Sequence, residues 1–380
     1  MYIEFNDEQL ELRESARATL SRHCPPSLVR AVADGTGDAA ELENEIGWLG
    51  WPALTIDVDL GGLGRSYAEL AVVLEELGRA AAPGSFLPTT TQFVPVIRAA
   101  GTPAQAHRYL AGVASGDVTG TVALHESGRF DPEAVTSTAE RDGDGWLLRG
   151  HKQHVLGAPT VDEVVVATRR DAGTLGLFVV PAAELTFKRT DSIDATRSLA
   201  NVELNGVWVP DARMLGEADE DAGRALIRAL AEATVGLALD SLGACAALLD
   251  ASLTVAIEGG ATGQSVEHSL ADMLVAIELG RAATYQAVAA LAEGDDRAGT
   301  AASVAKVAMS RCQRLVTRRS LELRGLREAE GEPDVRLWVG RAKADDLLFG
   351  GAIDHRRIVA DRLLSSRRAR SSQLVSALLG

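Results

Sequence analysis

Seven short segments follow one another between residues 119 and 210: TGTVALHE (119–126), AVTSTAER (134–141), GWLLRG (145–150), DEVVVATRR (162–170), GTLGLFVVP (173–181), LTFKRT (185–190) and NVELNGVWVP (201–210). They are rich in β-branched and aromatic residues and separated by turn formers such as Arg141-Asp142-Gly143-Asp144-Gly145, the signature of strands. Their connections are too short for helical crossovers, so the spacing predicts an antiparallel sheet that ends at Pro210 and Asp211.

On either side the apolar residues recur at 3- and 4-residue steps, the period of one-sided helices. Before the sheet this holds for DEQLELRESARATLSRHC (7–24), YAELAVVLEELGRAAA (67–82) and TPAQAHRYLAGVASGD (102–117). The break LTIDVDLGGLGRS (54–66) carries a double glycine ahead of a helix but neither GxGxxG nor GxxxxGK[ST] spacing, so it reads as a plain loop. After Asp221 come RALIRALAEATVGLALDSLGACAALLDASL (224–253), SVEHSLADMLVAIELGRAATYQAVAALAEG (265–294) and TAASVAKVAMSRCQRLVTRRSLELRG (300–325). Two more helices are predicted between PDVRLWVGRAKADDLLFGG (333–351) and ADRLLSS (360–366), and the abundance of small residues suits close helix packing. Periodicity alone therefore yields an α+β chain with a central β domain.

The 380 residues include 38 basic and 53 acidic side chains, net −15, a balance that disfavours nucleic acid as a partner because phosphate contacts need Lys and Arg. Residues 306–370 run the other way, with 16 basic against 9 acidic residues. That stretch reads as a solvated helix face, or as a surface for an anionic small molecule or an acidic neighbouring subunit. No run approaches the ~18 apolar residues of a membrane helix, and the acidic start MYIEFNDEQLELRE lacks the order of a signal peptide. A cytoplasmic protein without membrane insertion is expected. Cys24, Cys245 and Cys312 are far apart with no CxxC pair, so buried thiols are expected. Seven histidines without HxH or HExxH spacing give no metal site, and the five tryptophans, Trp48 and Trp51 among them, read as core anchors.

The whole chain from about Phe5 to Leu364 resembles the acyl-CoA dehydrogenase family of flavoenzymes. The likeness rests on ENEIGWLGWPAL (43–54), GGLGRSYAELAVVLEELGRAAAPGSFL (61–87), VASGDVTGTVALHE (113–126), AERDGDGWLLRGHK (139–152), NVELNGVWVPDARMLG (201–216), HSLADM (268–273) and RAKADDLLFGGAIDHRRIVADRLL (341–364). The resemblance implies an N-terminal helical domain (1–118), a central antiparallel β-barrel-like domain (119–218) and a C-terminal four-helix bundle (219–380). It also implies FAD-dependent α,β-desaturation of an acyl-CoA thioester: a desolvated carboxylate of raised pKa takes the α-proton, the β-hydride goes to the flavin, and electrons leave to an electron-transfer flavoprotein.

Carried over position by position, the pattern is incomplete. The family's Tyr-Glu-Gly-Thr corresponds to Phe349-Gly350-Gly351-Ala352, so Gly350 occupies the usual Glu position. Where other members carry the base, on the first helix after the sheet, this chain has Leu226, and Glu232 lies six residues on, about 240° around the helix. Glu232 is a weak alternative base, with a structural hydrogen bond as the other reading. Thr-Glu-Pro-Gly becomes His125-Glu126-Ser127-Gly128, and Lys-x-Trp-Ile-Thr-Asn becomes Lys152-Gln153-His154-Val155-Leu156-Gly157. His154 thus replaces an aromatic wall, and Leu156 has no hydroxyl to offer the flavin. The phosphate-contacting Arg-x-Gln-Phe-Gly corresponds to Leu253–Ile257, with Glu258 following. The glycine-rich dinucleotide loop corresponds to Glu322-Leu323-Arg324-Gly325-Leu326-Arg327-Glu328, where only Gly325 survives. The resemblance makes His125, Gly128, His154, Leu156, Arg324 and Gly325 the candidate cofactor contacts.

A chain of this kind looks like the subunit without the base in an α2β2 assembly, sharing FAD with a homologous acyl-CoA dehydrogenase subunit. The alternatives are an autonomous dehydrogenase with a relocated base, and a non-catalytic scaffold homologue. His355 with Arg356 and Arg357 reads as a CoA-phosphate contact or a cationic helix face. Arg197 reads as a group reaching acyl-CoA or a partner, or as an ion pair with Asp194 or Asp191.

Overall fold

The protein is described here by a computed structural model covering residues 5–170, 173–217, 221–259, 263–324 and 335–379, without the side chains of 324 and 366–379. The N-terminal region contains α1 (Asp7–His23), α2 (Pro26–Ala33), α3 (Ala40–Trp48), α4 (Tyr67–Arg79), one-turn α5 (Phe86–Pro88), a π-helical turn over Thr89–Phe93, α6 (Val94–Ala100) and α7 (Pro103–Ser115). Three starts are written in the sequence as reciprocal capping boxes, Asn6 with Gln9, Ser66 with Glu69 and Thr102 with Gln105. In each the cap side chain takes a free backbone N–H and the third residue answers. The double-glycine stretch at 61–62 is a loop, with Ser66 capping the helix that follows it.

Seven strands follow: β1 (Gly120–Ala123), β2 (Thr138–Asp142), β3 (Gly145–Leu156), β4 (Glu163–Arg170), β5 (Leu175–Pro181), β6 (Thr186–Arg189) and β7 (Leu199–Pro210). They form one curled sheet ordered β1-β4-β2-β3-β7-β6, with β5 on β4. The wholly antiparallel expectation needs correction, because β4 runs parallel to both β1 and β2. The chain passes through the β2–β3 hairpin between β1 and β4, so a long return path exists without a helix. Both faces of the sheet are covered. Val165, Leu175, Leu177 and Val179 pack with Phe93, Tyr109 and Leu226, while Val164, Val166, Phe178, Val202 and Leu204 fill the inside of the curl. Burial on two sides explains the unbroken apolar run VVVA at 164–167.

The C-terminal region contains α8 (Gly223–Glu258), α9 (Gln264–Ala292), α10 (Ala298–Arg324), α11 (Val335–Asp345) and α12 (Ala352–Leu379). Helices α8, α9 and α10 pack on one another, and α12 and α11 pack on α10. Contrary to the sequence expectation, α8 is long and apolar enough to cross a membrane. Its apolar residues Val235, Leu239, Leu242 and Leu248 lie in the core it shares with α4, which accounts for that composition. Two glycines set this crossing. A Cβ on Gly78 of α4 would stand 2.0 Å from the Asp240 carbonyl oxygen, and one on Gly243 of α8 would stand 1.8 Å from that of Glu75. The two backbones touch where no side chain fits.

All three regions meet in one buried ionic cluster. Arg341 of α11 donates to both Asp240 oxygens at 3.0 and 2.6 Å, to Thr196 Oγ1 at 3.0 Å and to the Ala82 carbonyl at 3.2 Å. Arg197 donates to Asp194 Oδ2 at 2.6 Å and to Asp345 Oδ1. Asp345 also accepts from Ser241 at 2.9 Å and Gln313 at 3.0 Å. Arg197 therefore holds the structural role, with Asp194 as expected but with Asp345 in place of Asp191. Burial raises the Asp345 pKa against the pull of Arg197, whereas Arg197 and Arg341 hold Asp194 below the ordinary range despite its burial.

Two tryptophans depart from the core expectation: Trp48 is 81% and Trp208 42% exposed, while Trp51, Trp146 and Trp338 are buried. The three cysteines are buried free thiols. Arg341→Ala is expected to lower unfolding free energy by about 3–5 kcal/mol, because it strands Asp240 in the interior. Arg65→Ala, which removes an exposed pair with Glu8, should cost less than about 1 kcal/mol. Urea denaturation of both variants makes the comparison, and equal losses would refute the account.

Candidate functional site

The sheet presents its cluster of unusual side chains through two local devices. Ser127 and Gly128 both take left-handed backbone, φ 48° and 78°, in a two-residue turn that returns Arg129 to Glu126. Consecutive left-handed residues suit a tight hairpin turn. In β3 the pairing with β7 slips between Lys152 and Val155, and His154 sits in the bulge at φ 51°. A bulge of this kind re-aims a side chain.

The two devices bring His125 and His154 together, Nδ1 to Nδ1 at 3.1 Å. One nitrogen must donate and the other accept, so both rings cannot be charged. Burial, and then the neighbouring His154, push the His125 pKa below its ordinary value. Phe130 stacks on His125 with centroids 4.2 Å apart at 23°, and Phe349 meets Phe130 edge-on at 5.6 Å. Beneath them Glu126 is fully occupied. It pairs with buried Lys152 and accepts from the backbone of Thr136 at 2.7 Å and of Ser137 at 3.2 Å. Leu156 is buried, and its carbonyl accepts from Thr121 Oγ1 at 2.6 Å.

Phe349 and Gly350 lie in the loop between α11 and α12, both left-handed at φ 58° and 95°. A Cβ on Gly350 would meet nothing nearer than 3.5 Å, so the constraint there is conformation rather than space. Three groups hold the loop. Lys306 of α10 donates to the carbonyls of Asp345 and Leu348, the latter at 2.7 Å. His355 faces the Phe349 carbonyl through Nε2 at 3.0 Å and Ser303 Oγ through Nδ1 at 3.0 Å, and Asp354 accepts from Gly351 N at 3.0 Å. His355 is therefore a buried loop clamp, while its neighbours Arg356 and Arg357 are exposed. Sequence reading gave no role to the side chains of Lys306, Phe130 and Phe349. A lysine on the apolar helical stretch TAASVAKVAM was the one available signal.

Glu232 lies elsewhere. Its Oε1 is 3.4 Å from Arg98 Nη1, its carbonyl accepts from Tyr67 at 2.8 Å, and Oε2 is buried with no partner among the described residues. Burial raises its pKa above the carboxylate range against the pull of Arg98. Leu226, six residues earlier, packs against the sheet, so Glu232 faces the N-terminal helices as the helical angle required. Gly128 is at the turn described above. Arg324 ends α10 with its side chain outside the described residues, where Gly325 and Leu326–Glu328 also lie. Leu253 and Ile257 are exposed near the end of α8, with Glu258 its last residue.

Burial and the nearby Lys306 charge depress the His355 pKa to about 4. The unfolded chain takes up that proton near pH 6.5, so the neutral clamp contributes stability above that pH. The contribution is lost as pH falls toward 4, by up to about 3 kcal/mol. Denaturation at pH 7, 5.5 and 4.5 should give a steeper loss for the wild type than for His355→Gln, and parallel losses would sink the assignment.

Residues 6–117 match the family described as acyl-CoA dehydrogenase, N-terminal domain, and residues 222–364 its C-terminal domain. The chain is 28% identical to the short-chain specific acyl-CoA dehydrogenase of Bos taurus over 97% of its own length and 92% of the relative's. Among solved structures, the "Tcur3481-Tcur3483 steroid ACAD" is 30% identical with a TM-score of 0.83, covering 95% of this chain and 99% of the other. The ChsE4-ChsE5 complex from Mycobacterium tuberculosis, 23% identical with a TM-score of 0.84, covers 96% and 99% and shares the fold. The chain therefore belongs to the acyl-CoA dehydrogenase family, FAD-dependent oxidoreductases that act on acyl-CoA.

Proposed function

We propose that this chain is the subunit without the catalytic carboxylate in a two-component, FAD-dependent acyl-CoA dehydrogenase, working with a homologous subunit that supplies the base. The observation that carries the proposal is the Phe349–Gly350 loop. It is clamped over the His125–His154–Phe130 cluster, and the family's base position holds a glycine. Asp354 beside it already accepts from Gly351 N. Two relatives described by paired names, one a steroid enzyme and one a complex, support the same reading. A ring-bearing, steroid-like acyl-CoA is the substrate class proposed, with an electron-transfer flavoprotein as acceptor.

The described residues do not by themselves fit a flavin ring. Phe130 already covers one face of His125, the histidine nitrogens satisfy each other, and Leu156 lends neither hydroxyl nor free carbonyl. What the chain supplies in this reading is a rigid apolar and imidazole wall, and exclusion of water from the shared site.

Absorption spectra and native mass spectrometry on the chain alone, and co-expressed with a homologue that keeps its base, test the assignment. A colourless chain that turns yellow as a heterotetramer is expected. A stoichiometric flavin band in the chain alone refutes the proposal, and colourless protein in both preparations would leave a scaffold homologue. Gly350→Glu in the chain alone should yield no acyl-CoA-dependent dye reduction and lose about 1–2 kcal/mol of stability, since a side chain at left-handed φ is strained. The autonomous alternative rests on Glu232, whose carboxyl is buried and raised in pKa. Glu232→Gln should leave turnover of the assembled enzyme within about twofold, and a loss of activity on the scale of ~100-fold or more, expected of a missing base, would restore Glu232 to the chemistry.

A further inference from the structure

His125 and His154 present the same ring nitrogen to each other. Two metal–nitrogen bonds of about 2.05 Å, spanning the 3.1 Å between the Nδ1 atoms, would enclose an angle of about 98°, between the values of a square-planar and a tetrahedral site. The rings are tilted by 48° with centroids 5.0 Å apart, closer than nitrogens pointing straight at each other across that gap would place them. Their lone pairs are therefore inclined to the line between the nitrogens, as those of two ligands to one ion are, and not collinear as in a straight hydrogen bond.

The surroundings fix this geometry from both sides. Left-handed backbone at His154 and at Ser127, φ 51° and 48°, is the kind of local strain that clusters at binding sites. Asn201 Oδ1 accepts from His154 N at 3.1 Å and pins the bulge. Phe130 stacks on His125, and the backbone of Gly128 and of Gln153 hydrogen-bonds its ring, the anchoring that metal-ligating histidines show. His125 is buried and His154 exposed, so the pair opens to solvent on one side. Glu126 is engaged by Lys152, Thr136 and Ser137, and among the described residues no third imidazole, thiolate or carboxylate joins the two rings. Water is left to fill the remaining positions, as in an open site.

We infer that His125 and His154 form a chelating site for one divalent late-transition-metal ion of the copper, nickel or zinc class, entered from solvent on the His154 side. Two imidazoles suit these ions, whereas Mg2+ and Ca2+ require oxygen donors. Binding exchanges the contact between the rings for two metal–nitrogen bonds, and the ring that donated carries its proton on Nε2 instead. Spacing along the chain does not reveal the site, because its ligands meet only through the bulge in β3. An ion held there locks both rings, and through Phe130 the wall that faces the clamped loop.

Cu2+ titrated into the metal-free full chain, followed by calorimetry and by electron paramagnetic resonance, tests the site. One equivalent is expected, with hyperfine splitting from two nitrogens, and Zn2+ should compete for it. His154→Gln changes an exposed ring and should weaken binding at least about tenfold, a loss that even an outer-shell partner can cause, with the two-nitrogen splitting gone. His151→Gln removes another exposed histidine of β3 and should alter neither readout. Absence of stoichiometric binding, a signal without two nitrogens, binding that survives His154→Gln, or an equal loss in His151→Gln overturns the proposal, the last three being marks of adventitious surface binding. Neither flavin nor partner subunit enters the measurement, so its failure and that of the subunit assignment are distinguishable.

Discussion

Charge balance inside the molecule is the constraint on which the rest of the architecture depends. Arg341 and Arg197 face Asp240, Asp345 and Asp194 in a space closed to water, with Lys306 on the carbonyls of Asp345 and Leu348, and these groups come from the β6–β7 loop, α8, α10 and α11. Ion pairs removed from water contribute little net stability, but an unbalanced one is severely unfavourable. The cluster therefore acts as a condition on assembly: the β6–β7 loop, α8, α10 and α11 are all in place, or a bare charge is left inside. Specificity of this kind explains how a curled sheet and a helical bundle, each with its own apolar core, settle in one arrangement.

The same condition reaches the site. Asp345 ends α11, and Lys306 grips the carbonyls of Asp345 and Leu348. The loop bearing Phe349 and Gly350 thus starts from the ionic cluster and ends on the His355 clamp. Glu126 and Lys152 play the matching part under the sheet, where burial brings the Lys152 pKa down to about 8 against the pull of Glu126. Two buried charge arrangements, one in the bundle and one in the sheet, set the distance across which His125, Phe130 and Phe349 meet.

Much of this was legible in the sequence, because the relevant signals are local. Capping residues at Asn6, Ser66 and Thr102, the alternation of the strands and the helical periods depend on neighbours in the chain. The parallel pairing of β4 was not legible, since it is decided by a return path through another hairpin. Nor was the burial of α8, whose apolar run reads the same in lipid as in a protein core. At the site, the identities at 125, 154 and 350 could be read, but not the contact between two histidines 29 residues apart, which needs a bulge at His154 to arise. Lys306, Asp240 and Asp345 each look like surface residues when read singly. Only their mutual geometry shows that they are interior.

The left-handed pair Phe349–Gly350 also bears on which residues this loop can admit. Gly350 holds backbone that glycine adopts without strain, so a side chain placed there is disfavoured although nothing stands nearer than 3.5 Å to its Cβ. The neighbours that clamp the loop, His355 and Lys306, hold that backbone in place. The residues this position admits are therefore chosen by the backbone before any neighbour is met, with asparagine and aspartate the mildest replacements.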